Sequence, residues 1–170
     1  MTQIKFISIQ EAMKKGKGEA AVRGWVHRER GSNKLKFIVL RDSTNIIQCV
    51  IEKEKFEEQW NDIDKLQIES SLEIIGDIKE DKRAPTGFEI QVKKINIIGL
   101  SNEFPINKDL NEELLGDRRH LWLRSRKMTS ILKIRDTVLE ALREHWRSKG
   151  FYEFNTPSII GLQCEGGATL

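Results

Sequence analysis

Five runs of β-branched and aromatic residues, with a helix-forming stretch inserted after the third, leave the first hundred residues of this chain very few ways to fold. The runs are Glu19–Arg28, Leu35–Arg41, Ile46–Ile51, Ser70–Lys79 and Phe88–Ile98, and polar or glycine-bearing turns separate them. Alternation of period two is plain in the second run, where Ile38 and Leu40 form one face and Leu35, Phe37 and Val39 the other. It recurs in Phe88, Ile90 and Val92. Gly76, inside the fourth run, predicts a bulge or sharp bend of the kind a small closed sheet needs. Ala84-Pro85-Thr86-Gly87 predicts a turn.

Ser8-Ile9-Gln10-Glu11 is a capping-box pattern, which starts a short helix to about Lys15, and Gly16 and Gly18 end it. From Glu52 to Trp60 the chain holds good helix formers, with Phe56 and Trp60 on one face at a spacing that suits core packing. Five strands with a helix after the third match the partly open Greek-key barrel called the OB-fold. That barrel commonly binds oligonucleotides across its second and third strands.

The charge pattern points to the same strands. Over 170 residues the net charge is only +3, from 29 basic and 26 acidic residues, too mild to argue for nucleic acid by itself. The distribution says more: Arg28, Arg30, Lys34 and Lys36 crowd the turn between the first two strands against a single Glu29. Such a run is in general a solvated turn. Beside an outward aromatic it has the ingredients for gripping single-stranded nucleic acid, because cations track phosphates and a ring stacks on a base. Arg30 and Lys34 are the expected phosphate contacts.

Other chemistries are poorly served. Cys49 and Cys164 stand far apart, as do His27, His120 and His145, so neither a metal site nor a disulfide framework is expected. No apolar run approaches the roughly 20 residues of a membrane span, and the first residues lack the pattern of a signal peptide. A cytoplasmic protein without membrane partners is the expectation.

Beyond Leu100 the pattern breaks. Pro105 and Gly116 punctuate a polar stretch that reads as a hinge over 101–120. Met128, Ile131, Leu132, Val138, Leu139, Leu142 and Trp146 then recur at spacings of three and four, giving an amphipathic helix from Arg126 to Lys149 capped by Gly150. Phe151, Tyr152 and Phe154 begin a strand, and Pro157 interrupts it. This second part cannot bury its apolar stripe alone, so it docks on a second copy or belongs to a longer protein.

Three stretches in this order resemble the amino-terminal region of class II aminoacyl-tRNA synthetases of the aspartate/asparagine/lysine subgroup, over essentially the whole chain. Arg23-Gly24-Trp25-Val26 with Phe37-Ile38-Val39-Leu40-Arg41-Asp42 and Gln48 looks like the anticodon-binding barrel. Asp117-Arg118-Arg119-His120-Leu121-Trp122-Leu123-Arg124 is similar to the entry into the catalytic domain, and the RHLWLR form is that of the asparagine branch. Gly150-Phe151-Tyr152-Glu153-Phe154-Asn155-Thr156-Pro157 looks like motif 1.

The resemblance implies a barrel over 1–100, a hinge over 101–120 and, over 121–170, the first helix and strand of an α+β catalytic domain. It implies that Phe37 stacks on the middle anticodon base, that Gln48 hydrogen-bonds that base and that Arg28 assists, with Arg30 open as the alternative. Pro157 would belong to a homodimer interface, and Glu165 would lie near the ammonium group of the amino-acid substrate. The parent enzyme would join asparagine to ATP with magnesium present, then transfer it to an asparagine-accepting tRNA. Motifs 2 and 3 are absent from this stretch, which alone is expected to be inactive. An aspartate enzyme of the same subgroup and a free-standing RNA-binding module remain as alternatives.

Overall fold

The computed structural model describes residues 5–102, 104–106 and 112–159. The chain divides into two compact units, residues 1–107 and 108–170.

In the first unit, β1 (Gly18–Gly31), β2 (Leu35–Arg41), β3 (Ile46–Glu52), β4 (Ser71–Glu80) and β5 (Phe88–Gly99) form a closed barrel in the order β1-β2-β3-β5-β4. All pairings are antiparallel except β3 with β5. That Greek-key order is the one the strand pattern predicts, although β1 runs three residues further than expected and carries the cations Arg28 and Arg30 on paired backbone. Closure needs close backbone approaches, and glycine supplies two. A Cβ on Gly76 would sit 2.1 Å from the carbonyl oxygen of Gln91, and one on Gly24 would sit 2.2 Å from that of Arg41. The β4–β5 register slips beside Gly76, which is the expected bulge.

The core is aliphatic: Val22, Val26, Ile38, Leu40, Ile47, Ile51, Leu72, Ile74 and Ile90 are fully enclosed. Helix α1 (Ile9–Lys15) begins with the capping box, Ser8 accepting from the Glu11 N–H while the Glu11 carboxylate accepts from the Ser8 N–H. It inserts Ile9 and Ala12 into that core. Asp42, at the end of β2, fastens it. One carboxylate oxygen accepts from the Ile9 N–H at 2.7 Å, while the other accepts from Thr44 and Asn45 in its own turn. Partial burial works to raise the Asp42 pKa, but the backbone donors Ile9, Asn45 and Thr44 and the Thr44 hydroxyl outweigh it and hold the carboxyl below its usual range.

The helix expected from Glu52 to Trp60 is a correction. Lys53–Lys55 and Glu57–Gln59 are single 3-10 turns, and the α-helix, α2, spans Trp60–Asp64. Phe56, at φ −135°, breaks the helix, yet both Phe56 and Trp60 are buried as the spacing predicts. Burying both rings against a curved barrel mouth overrides the helix propensity of the charged residues between them.

In the second unit the polar stretch read as a hinge runs into two short helices, α3 (Glu112–Asp117) and α4 (Arg119–Trp122). Helix α5 (Arg126–Ser148) follows, with Ser125 as its N-cap. Gly150, at φ 83°, ends it in a Schellman arrangement: its N–H donates to the Arg147 carbonyl and the Phe151 N–H to that of Trp146. The strand expected from Phe151 is a second correction, because residues 151–157 pair with no strand among the described residues. Phe151 instead packs edge-on against Trp146 at 5.2 Å, and Glu153 binds Arg143 at 3.0 Å, so both are spent on the helix end.

Candidate nucleic-acid interface

Residues paired directly across a ladder share a face, so the register fixes what stands together on the barrel wall. Phe37 lies between Arg30 of β1 and Val50 of β3, and its neighbour Val39 lies between Arg28 and Gln48. Gln48 in turn faces Glu89, and Val50 faces Gln91. In β2, Lys36, Ile38 and Leu40 are buried while Leu35, Phe37, Val39 and Arg41 are half-exposed, so Phe37 stands on the outer face.

The side chains connect along that face. The Arg30 guanidinium lies over the Phe37 ring at 5.0 Å from its centre, and its Nη2 reaches to 3.5 Å from Gln48 Oε1. Gln48 Nε2 donates to Glu89 Oε2 at 3.0 Å. Gln91 Nε2 donates to Glu89 Oε1 at 2.7 Å, and Lys79 pairs with the same oxygen at 3.2 Å. A carboxylate accepts only, so the Gln48 amide nitrogen is committed to Glu89 and its carbonyl oxygen is turned toward Arg30. The result is an exposed cation, a ring and an oriented amide in sequence across β1, β2 and β3, with a buried carboxylate on β5 setting the amide's direction.

The expected site residues fall out unequally. Phe37 and Gln48 share a face, and Gln48 is only 5% exposed, because the side chains of β5 and Arg30 close over it. Of the two arginines left open, Arg30 touches both the ring and the amide, whereas Arg28 is exposed one pair further along, across from Val39. Lys34 is exposed in the turn, where its carbonyl accepts from the Lys53 N–H at 2.9 Å. Pro157 is exposed, and Glu165 lies outside the described residues.

Residues 20–98 match the family described as an OB-fold nucleic acid binding domain, and residues 111–170 match that described as class II tRNA synthetases (D, K and N). The chain thus joins an OB-fold nucleic acid binding domain to a stretch of the class II tRNA synthetase (D, K and N) family. The chain is 44% identical to the asparagine–tRNA ligase of Thermoplasma acidophilum over 89% of its own length and 36% of the relative's. It is 48% identical to that of Thermococcus gammatolerans over 86% of its length and 34% of the relative's. The crystal structure of asparaginyl-tRNA synthetase from Pyrococcus horikoshii complexed with asparaginyl-adenylate superimposes with a TM-score of 0.81 at 35% identity, covering 91% of this chain and 37% of that one. The chain therefore spans about a third of the length of the curated relatives it matches.

Three residues in and beside this site escape sequence reasoning. Glu89 and Gln91 read as polar positions of an alternating strand, and only the parallel β3–β5 pairing, 41 residues apart in sequence, brings Glu89 to Gln48. Lys36 reads as one more cation of the basic turn, but it is 4% exposed. Its ammonium donates to the Asp64 carbonyl at the end of α2 at 2.6 Å and pairs with Glu29 at 3.5 Å. A signal for this exists in the strand: Lys36 has the inward phase of Ile38 and Leu40.

Proposed function

We propose that the barrel of this chain reads the anticodon loop of an asparagine-accepting tRNA. On this reading the protein it belongs to joins asparagine to ATP, with magnesium present, and transfers the asparaginyl group to that tRNA. The observation that carries the reading is the Arg30–Phe37–Gln48 string on the outer barrel face, with Glu89 behind it. Single-stranded RNA is recognised by splaying bases onto rings and hydrogen-bonding their edges. Phe37 supplies the ring, the Gln48 carbonyl is an acceptor with its direction fixed, and Arg30 supplies charge for a phosphate. The likeness to asparagine–tRNA ligases supports the choice of amino acid.

Recognition of RNA is the chemistry these side chains carry, and asparagine activation is assigned on the likeness to the ligases alone. Among the described residues no group of three His, Cys, Asp or Glu side chains converges on a metal position. Homodimerisation through the motif 1 region, with Pro157 at the interface, belongs to the same reading. It is supported by the half-exposed α5 stripe of Ile131, Val138, Leu139, Leu142 and Trp146. So does a cytoplasmic location, and so does a place for Glu165 near the substrate ammonium.

The test is direct. This chain is titrated with tRNA transcripts bearing asparagine and aspartate anticodons, and the longer protein is assayed for amino-acid-dependent pyrophosphate exchange. Preference for the asparagine anticodon together with exchange driven by asparagine is expected. Exchange driven by aspartate moves the assignment to the sister enzyme, and absence of tRNA binding defeats it.

A further inference from the structure

The outer face that carries Phe37 does not stop at Arg28. Beyond the irregular step at His27, Trp25 pairs with Arg41 and so returns to that face, 44% exposed, and Arg23 follows two residues further on. Trp25 borders a groove of about 420 Å³ between the segment leading into α1 and the ends of β4 and β5, lined also by Phe6, Arg23, Ser43, Ser71 and Ile98. The Arg23 guanidinium is held 5.7 Å from the centre of the Phe6 ring. None of Arg30, Phe37 and Gln48 lines this groove.

We infer that the Trp25 groove is a second stacking site for the same RNA, receiving an unpaired base of the loop beyond the one on Phe37, with Arg23 placed for its phosphate. The inference rests on the anticodon-loop reading. Charge argues for RNA as the occupant: Arg23, Arg28 and Arg30 are all exposed along one face of one strand, so cations continue from the first ring to the second. The carboxylates nearby are engaged. Asp42 is held by the backbone of Ile9, Thr44 and Asn45, and Glu73, across from Arg23, accepts from Asn96 at 3.0 Å. Distance agrees as well. From Phe37 to Arg41, the partner of Trp25, is four strand residues, roughly 13 Å at about 3.3 Å each, a span that an extended single strand covers in a few nucleotides. A flat indole with serine hydroxyls around it grips any base by its face and sets no strong sequence choice, as in non-specific single-strand binders.

The experiment is a coupling cycle on this chain with an anticodon stem-loop RNA. Trp25→Ala, Trp25→Phe and Phe37→Ala are each titrated against the intact RNA and against RNAs carrying one abasic nucleotide at each loop position. Trp25→Ala is expected to weaken binding of intact RNA about tenfold, within the range base stacking gives, and Trp25→Phe to restore most of it. One abasic position should abolish the effect of Trp25→Ala, and a different one should abolish that of Phe37→Ala. Affinity unchanged in Trp25→Ala while Phe37→Ala weakens binding overturns the second site and leaves the first standing. A lowered melting temperature with unchanged affinity likewise overturns it and makes Trp25 a protein contact. If Phe37→Ala is also without effect, the anticodon reading itself falls.

Discussion

Gln48 donates its amide nitrogen to the Glu89 carboxylate at 3.0 Å, and both residues are no more than 5% exposed on the outer wall of the barrel. Glu89 forms no part of the ring-and-cation surface, yet it decides which end of the amide faces outward. Glu89→Gln keeps the shape but replaces a pure acceptor with a group that can also donate, so the Gln48 amide loses its fixed direction. If Gln48 reads a base as proposed, discrimination there should fall by about 1–3 kcal/mol, the cost of a mispaired polar group. Titration with stem-loops differing only at the middle anticodon base checks this. Glu89→Gln with unaltered base preference would separate Gln48 from base reading.

Phe37 and the turn cations should leave different signatures. Phe37→Ala is expected to cost about 1–3 kcal/mol of RNA affinity at every salt concentration, since stacking releases no counterions. Arg28→Gln and Lys34→Gln should each weaken binding most at low salt and flatten the salt dependence by about 0.7 in log–log slope for each phosphate no longer neutralised. Anisotropy titrations from low to moderate salt read both quantities. Lys36→Gln should leave the slope alone and lower stability instead, because its ammonium is directed to Asp64 and Glu29 within the protein.

The fold is legible in the strands and the site only partly so, for a physical reason. Alternation in Leu35–Arg41 places Phe37 outward, and the glycine at 76 marks the bend, because both are properties of one strand. The burial of Gln48 is not legible in its own strand because its cover comes from β5, and the parallel pairing that delivers Glu89 has no local trace. The 3-10 turns around Phe56 and the unpaired Phe151 are failures of two kinds. At Phe56 a contact with the barrel core displaces what the local pattern favours, and at Phe151 the helix cap itself does, by folding the ring back onto Trp146.

Gly76→Ala should be among the most damaging single changes in the barrel. Its new methyl would sit 2.1 Å from the Gln91 carbonyl oxygen and 2.8 Å from Ile90 Cγ2, and a backbone carbonyl in a ladder cannot swing aside as a side chain can. Overpacking costs about 1–3 kcal/mol in tolerant cores, and the upper end is expected here. Urea denaturation measures it. Because Gln91 also donates to Glu89, the variant should lose RNA affinity beyond its loss of stability.

Acid should release the helix that plugs the barrel. The Asp42 carboxyl titrates below its ordinary value in the folded chain, so its contribution is complete above the unfolded value of about 3.9 and is lost as pH falls through the depressed folded value. The capping carboxylate Glu11, also lowered by its bonds to Ser8, acts in the same window. Denaturation midpoints from pH 7 to pH 3 should therefore fall less steeply for Asp42→Asn than for the parent chain, with the variant less stable at pH 7. Parallel curves would show that the bond to the Ile9 N–H carries no net stability.

Helix α5 supplies the last expectation. Ile131, Leu132, Val138, Leu139, Leu142 and Trp146 are each between 38% and 52% exposed on one amphipathic helix. Contiguous exposed apolar surface is a feature of interaction sites. If it forms the proposed dimer interface, the chain should associate reversibly in sedimentation velocity, with Leu139→Glu shifting it to monomer. The substitution puts a charge in the middle of the stripe without touching the helix caps at Ser125 and Gly150. RNA affinity per barrel should be unchanged in Leu139→Glu, because the ring, amide and cations that would hold the loop all lie in the other unit. A parent chain that sediments as a monomer at all concentrations would assign the stripe to some other partner.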